Sequence, residues 1–564
     1  WNTVICDPRD AGGACPGAYS HNFYGGDLAG LTEQLDYLED LGITAIYLNP
    51  VFFSPSNHGY DTTDFLQIDS SMGTQAEFEA FATAAHARGM KIILDGVFNH
   101  TSSDSVYFDR YGRYDSVGAC ESASSPYRSW YYFQPVTAGS GPCVGDDGTP
   151  GGATYTSWFG YDSLPKLNST NAAVRALIWD SAESVAVHWL QWADGWRLDV
   201  AGDVDPGVTG DPNNLYWEGF REAVKTTKPD AYIVGEEWGN PSSWILGGEW
   251  DATMNYQLGT ALLSFWRDEP LTDNDHTTGS SAGPLNPLTP AQLNERLLNL
   301  QERYPAEALY AMMNLLDSHD TNRALFLLDE NADEAGTTPA LYQNPAYDWS
   351  DAIARLRGTV LLQMTLPGAP TIYYGDEVGL VGPVGRDGSG WQDDPYNRQP
   401  FPWLDETGTP YYPHLLQQDR YNFDSLLGLY TNLAGMRIAA PSLRTGDFRP
   451  LLVDNANNVY AFGRKMADNS DASLVIVNRA NSAQTIVVDV SGYFAEGTTF
   501  QDVYGGQNFT VTGGTITMPN LPAWGGALMW LNGSMAAAPA AVTDLAVTAE
   551  GNGSISLAWT AASG

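Results

Sequence analysis

The feature that most restricts this chain is a repeated unit, a short apolar run that ends in a carboxylic acid. Gly195-Trp196-Arg197-Leu198-Asp199-Val200-Ala201 is the clearest case. Trp196, Leu198 and Val200 alternate with Arg197 and Asp199, so each charge sits between apolar neighbours. Charges in that setting cost free energy unless they are compensated or serve a function. A salt-bridged strand end would explain one such stretch. The same unit recurs along the chain, and recurrence is harder to explain that way.

Taken in order, a helix with Leu31, Leu35, Leu38 and Leu41 on one face ends at Gly42, a residue suited to a helix C-terminus. An apolar strand follows over 43–51, then a loop holding His58-Gly59-Tyr60-Asp61. Thr74 and Glu77 form a capping box for the next helix. A second apolar strand, 91–98, runs into Asp95-Gly96-Val97-Phe98-Asn99-His100. Helix 171–192 leads to strand 196–200, and helix 215–227 to strand 232–238. Shorter strands are predicted at 251–255, 309–317 and 370–374, with a helix over 351–366 and a last one near 425–438.

Strand and helix thus alternate seven times. Near-continuous apolar strands joined by helices make a parallel sheet. Acids and histidines at the strand C-terminal ends are where a (β/α)8 barrel places its chemistry. Seven strands are one short of closure, and the first strand is expected upstream of Trp1. The barrel is predicted over 1–100 and 169–441. Residues 101–168, rich in Ser, Gly, Tyr and Pro, read as an inserted subdomain. From 442 to 534 short alternating strands with Gly and Asn turns predict an all-β sandwich. An Ala/Pro linker spans 535–541, and 542–564 resembles the first strands of a fibronectin type III module.

Composition narrows the partners. With 67 acids against 27 bases the net charge is −40, which argues against nucleic acid and anionic membrane and fits a neutral substrate. The four cysteines fall into two loop-like pairs, Cys6 with Cys15 and Cys120 with Cys143. Two local disulfides and an extracellular location are therefore expected.

Four segments resemble, in order and spacing, the conserved regions of the α-amylase family of glycoside hydrolases. They are 95–100, 195–199, Glu236 in Val234-Gly235-Glu236-Glu237-Trp238, and Ser318-His319-Asp320. Leu164-Pro165-Lys166-Leu167-Asn168 is similar to the signature of the neopullulanase, cyclomaltodextrinase and maltogenic amylase branch, and the tail module is closer to amylopullulanases. The resemblance implies a retaining hydrolase of α-1,4 bonds, and in part of the branch α-1,6 bonds, in starch, pullulan or maltodextrins. A transglycosylase and a non-catalytic glucan-binding homologue are the alternatives.

Retention requires two carboxyl groups, one to attack the anomeric carbon and one to protonate the leaving oxygen. By the resemblance Asp199 is the nucleophile, Glu236 the acid/base and Asp320 the residue that holds sugar hydroxyls. Arg197 would keep Asp199 ionised, and apolar neighbours would raise Glu236. Tyr60, His100, His319, Trp238, Asp394 and Arg398 are the implied sugar-binding residues. Gly25 and Asp27 match positions that bind calcium in this branch, with the remaining ligands expected upstream of Trp1. Asp61, Glu237 and Asp317 are expected to be structural. Where the branch reads Val-Ala-Asn-Glu after the nucleophile, this chain has Val200-Ala201-Gly202-Asp203. Those positions face the leaving-group sugar, so bond preference and the balance of hydrolysis against transfer stay open.

Overall fold

A computed structural model describes residues 23, 25–204, 215–332, 347–382, 385–387, 390–393, 397–403, 419–420, 422–533, 546–551 and 554–558. The chain divides into two compact units. The first comprises residues 1–288, 295–364 and 368–435, and the second residues 289–294, 365–367 and 436–564.

The first unit is built on parallel strands: β1 (Ala45–Leu48), β2 (Lys91–Gly96), β3 (Gly195–Leu198), β4 (Tyr232–Gly235) and β5 (Ala252–Thr253). They lie side by side in chain order. A parallel bridge from Met254 to Met313 carries the series to β6 (Met313–Asn314), which pairs in parallel with β7 (Ala369–Pro370). These are the seven strands expected from the sequence. The central ones are buried on both faces, as parallel strands covered by helices must be: in β2 every residue after Lys91 is buried, and so is all of β3.

Helices are set by local signals. Thr74 and Glu77 form the capping box of the helix Gln75–Ala87, each side chain bonding the other's backbone N–H. Gly42 adopts φ +91°, and a Cβ there would meet Ala434 Cβ at 2.9 Å, so both conformation and space demand glycine. Three predictions fail in detail. The helix expected to carry Leu31, Leu35, Leu38 and Leu41 is split at Gln34 into Leu28–Glu33 and Leu35–Leu41. The helix expected over 171–192 is broken into Ala172–Ile178, Val185–His188 and a 3-10 turn, with Ser184 opening the second piece. The strand expected over 309–317 is a helix, Ala306–Ala311, followed by the two-residue β6. Pro305 at the N-cap starts that helix, and an apolar run of this length reads equally well as either element.

Within 101–168, the strands Phe133–Pro135 and Ala153–Tyr155 form an antiparallel hairpin. A disulfide joins Cys120 to Cys143 across 23 positions of sequence. Cys6 and Cys15 lie outside the described residues. The second unit includes the short helix Pro441–Thr445, and from Arg449 on its described elements are strands. One sheet runs in the order Arg449–Asp454, Val459–Lys465, Ala472–Asn478, Gly525–Leu531, Thr499–Asp502 and Asn508–Thr510, and a second pairs Gln484–Asp489 with Thr515–Leu521. Ile486 and Val488 point into the core with Leu474, Ile476 and Met529, while Val487 between them is 53% exposed. The predicted linker, 535–541, lies outside the described residues. Ala546–Gly551 and Ser554–Ala558 pair antiparallel.

The Cys120–Cys143 link closes a loop whose constraint on the unfolded chain contributes about 3 kcal/mol. The double variant Cys120→Ser/Cys143→Ser is expected to lose hydrogen-exchange protection across 101–168. Unchanged protection there would show that the hairpin and its packing hold the subdomain without the link.

Candidate active site

The site is assembled by strand register. Pairing of β2 with β3 sets Asp95 opposite Arg197, and pairing of β3 with β4 sets Arg197 opposite Val234. The ladder continues past the strand ends. The Asp199 N–H donates to Gly96 O at 3.1 Å, and the Glu236 N–H to Leu198 O at 2.9 Å. Trp196 and Leu198 point the other way into the core, where Trp196 packs against Phe98 and Phe220. Alternation therefore turns Asp95, Arg197, Asp199 and Glu236 toward one another.

Arg197 is wholly buried, and its guanidinium is the hub. Nη1 donates to both carboxylate oxygens of Asp95 at 3.0 Å and to Asp199 Oδ1 at 3.0 Å. Nη2 lies 2.8 Å from Glu236 Oε2 as an ion pair without hydrogen-bond alignment. That Glu236 oxygen instead accepts the Val200 N–H at 2.8 Å, and Glu236 Oε1 accepts Trp238 Nε1–H at 3.0 Å. Val200 stands at φ +38°, an outlier for a β-branched residue. The turn after Asp199 is thus strained, and it aims a backbone donor at Glu236.

Tyr60 closes another side. Its hydroxyl donates to Asp95 Oδ2 at 2.9 Å, and its ring stacks on His319 with centroids 5.3 Å apart. His319 Nε2 sits 2.6 Å from the Tyr60 hydroxyl and 3.1 Å from Asp320 Oδ2, the second without hydrogen-bond alignment, and since the hydroxyl proton goes to Asp95 the ring N–H donates to the hydroxyl oxygen. Arg398 Nε donates to His319 O at 2.7 Å, and Nη2 is 3.3 Å from both Asp320 Oδ1 and Asp393 Oδ2. Asp394 lies outside the described residues. Its neighbour Asp393, absent from the residues the sequence singles out, meets Arg398 alongside Asp320.

Burial dominates the electrostatics. It pushes Asp199 well above the usual carboxylate range, with Glu236, Asp95 and Asp320 adding to the rise and Arg197 opposing it. Asp95 is raised by burial and held back by Arg197. Burial acts against the charge on Arg197 too, but Asp95 and Glu236 outweigh it and the guanidinium stays charged. His100 is lowered to about 4 and His319 further, both by burial, so both rings are neutral near pH 7.

Three implied roles meet a different setting from the one expected. His100 is 1% exposed, and both ring nitrogens have protein partners: Nε2 at 3.1 Å from Tyr60 O and Nδ1 at 3.1 Å from the Asn99 amide. Trp238 stacks on Tyr256 at 3.9 Å besides bonding Glu236, so one of its faces is taken. Asp27 caps a helix by accepting the Gly30 N–H at 2.7 Å, and Gly25 is exposed. Two such donors fall short of the six to eight oxygens calcium takes. Among the described residues no group of three or more His, Cys, Asp or Glu could hold a metal. Asp61 accepts the Ser54 and Ser56 hydroxyls, and Asp317 the Ala324 N–H. Sequence reasoning missed Tyr47, whose hydroxyl donates to Asp95 at 2.6 Å, and an exposed aromatic pair, Phe159 and Tyr161, beside Trp158.

Residues 8–446 match the model of the alpha amylase catalytic domain, and 448–528 that of the maltogenic amylase C-terminal domain. The chain is 35% identical to an amylopullulanase of Thermoanaerobacterium saccharolyticum, over 100% of this chain but only 42% of that relative's length. It is 32% identical to neopullulanase 2 of Thermoactinomyces vulgaris, over 90% of this chain and 71% of the relative. The solved structure of Ttha1563 from Thermus thermophilus superposes with TM-score 0.71 at 34% identity, covering 91% of each chain. The buried Arg197 with its strand-end acids, the sandwich behind it in sequence, and these matches agree: the chain belongs to the α-amylase family of glycoside hydrolases.

Proposed function

We propose that this chain is a retaining hydrolase of α-glucans such as starch, pullulan or maltodextrins. The observation that carries the reading is the single buried guanidinium gripping Asp199 and Glu236 together. That grip favours the short carboxyl separation, about 5–5.5 Å, of double displacement. Asp199 attacks the anomeric carbon and forms a covalent glycosyl ester while Glu236 delivers a proton to the departing oxygen. Glu236 then takes a proton from water, whose oxygen attacks the same carbon and frees Asp199. Asp320, partly exposed and bonded by His319 and Arg398, accepts sugar hydroxyls and adds negative charge beside the oxocarbenium-like transition state. Tyr60 walls the same ring site. His100 shapes the floor by holding the Tyr60 carbonyl. Arg398, with Asp394 or the adjacent Asp393, takes sugars on the non-reducing side, and Trp238 orients Glu236.

A net charge of −40 supports a neutral polysaccharide partner over nucleic acid or anionic membrane. No helix among the described residues is long and apolar enough to cross a membrane. The Cys120–Cys143 disulfide supports secretion. Calcium at Gly25 and Asp27 would be structural, with ligands beyond the described residues. No step runs through it.

Incubation with pullulan tests the reading. Panose would mark cleavage of α-1,4 bonds, maltotriose cleavage of α-1,6 bonds, and proton NMR should show products released first as α-anomers. Absence of hydrolysis on starch, pullulan and maltodextrins alike would overturn it.

Asp199→Asn is expected to lower kcat/KM on maltodextrin by about 10⁴-fold. Its stability should change in the opposite sense. A carboxyl raised on folding stabilises the protein below its unfolded pKa of about 3.9, and that contribution is lost as pH rises through the folded value. At pH 7 the neutral amide avoids the buried charge, so the variant should melt no lower than the parent, with its advantage shrinking toward pH 4. A variant that melts far lower at pH 7 would mean that Arg197 depends on Asp199 for its neutralisation.

A further inference from the structure

Past the ends of β6 and β7 lies a second buried cluster of acids that the proposed catalysis does not use. The ladder between these strands is short. It pairs Met313 with Ala369 and Asn314 with Pro370, and the Thr371 N–H adds one bond to Asn314 O at 2.9 Å. Beyond that point side chains join the two segments. Asp317 follows β6, Asp376 and Glu377 follow β7, and Arg323 stands among them; each is 3% exposed or less.

Three acids thus meet one base in a dry place. Glu377 is satisfied, since Oε1 accepts the Tyr37 hydroxyl at 2.9 Å and Oε2 the Gly375 N–H at 2.7 Å. Arg323 is the one cation paired with Asp376 among the described residues, and it is held mainly elsewhere. Its Nη1 donates to Tyr374 O at 2.7 Å, reaches Asp376 Oδ1 only at 3.3 Å, and its guanidinium lies 4.3 Å from the Tyr373 ring centroid. Asp317 Oδ2 accepts the Ala324 N–H at 2.6 Å, while Oδ1 finds no N–H donor among the described residues. Oδ1 is the oxygen left for Asp376, whose carboxyl bonds that of Asp317.

Two carboxylates have no hydrogen between them, so this bond requires that one acid keep its proton. Burial and then the charge of Asp317 push Asp376 well above the usual carboxylate range, with Arg323 opposing and Glu377 adding to the rise. Asp317 is raised by burial and held back by Asp376, Arg323 and the Ala324 N–H. Tyr373 and Tyr430 also face the pair, and Tyr37 faces Glu377; burial keeps all three phenols neutral.

We infer that Asp317 and Asp376 share one proton, and that the resulting O–H···O bond joins the ends of β6 and β7 beside the turn that carries His319 and Asp320. Asp317 stands two residues before His319 and three before Asp320. Both acids are positioning residues that act through Asp320, a part that rests on the hydrolase reading above. A carboxyl raised on folding stabilises the protein fully below its unfolded pKa of about 3.9, and that contribution is lost as pH rises through the folded value. The bond is therefore a clamp that alkali opens.

Thermal melts of the full chain from about pH 5 to about pH 9 test the proton. In Asp376→Asn an amide N–H replaces it, and in Asp317→Asn the amide supplies it from the other side. Each variant is expected to gain in melting temperature over the parent as pH rises. The double variant Asp317→Asn/Asp376→Asn should gain no more steeply than either, because one proton serves both. Differences that do not change with pH, or slopes that add in the double variant, would overturn the inference. Asp376→Leu, similar in size but without a donor, tests the positioning. At about pH 6 its kcat on maltohexaose is expected to fall about tenfold, as for a modest displacement of a reacting group, and Asp376→Asn to restore it. A folded Asp376→Leu that turns over as fast as Asp376→Asn would overturn the role of the pair in placing Asp320. A parent that hydrolyses no glucan would overturn the hydrolase reading instead, and the melts alone would then decide the shared proton.

Discussion

Every part of the site depends on one buried guanidinium. Asp95, Asp199 and Glu236 converge on Arg197 in a place with little water to screen them. Without a cation, gathering three carboxyls there would drive protons onto them and push the strand ends apart. A lysine would not serve as well. Arginine stays charged, and its planar fork reaches several acceptors at fixed angles. Here one nitrogen bonds Asp95 and Asp199 while the other faces Glu236. The parallel register Asp95–Arg197–Val234 is what makes that contact, so the sheet's alignment and the site's charge balance are one constraint seen twice.

The remaining groups keep the balance negative. His100 and His319 are held neutral by burial, so neither adds a cation near pH 7. Arg398 is another nearby cation, and it is divided between Asp320 and Asp393. Carboxyls therefore outnumber cations at the mouth of the site. In the hydrolysis proposed above, a neutral sugar would feel little of this at rest. The positive charge growing on its ring as the bond breaks would feel much more, which is how a fixed field lowers a barrier without tightening ground-state binding.

Much of this is legible in the chain. Short apolar runs mark the strands, and period-two alternation places Arg197 and Asp199 on one face. The capping box at Thr74 and Glu77 is readable because its partners are three residues apart. What stays hidden depends on contacts distant in sequence. Nothing near His100 says that its ring will be occupied by the Tyr60 carbonyl, 40 positions away. Tyr47 reaches Asp95 only because β1 lies beside β2. The run 309–317 could be helix or strand, and Pro305 decides it.

Val200 shows why strand ends, rather than strands, carry this chemistry. Within the ladder its N–H would be committed to a neighbouring strand. By leaving the extended region at φ +38° it turns that donor onto Glu236 Oε2 at 2.8 Å. Holding such a residue there costs on the order of 1–3 kcal/mol. The surrounding core, with Trp196, Leu198 and Ala201 fully buried, is rigid enough to impose it. The strain links the residue after Asp199 to the carboxyl of Glu236, so these two acids are tied through backbone as well as through Arg197. A rigid sheet can hold one outlier at its rim because the cost is spread over a core that already exists, and the C-terminal rim is where the ladder stops claiming the donors.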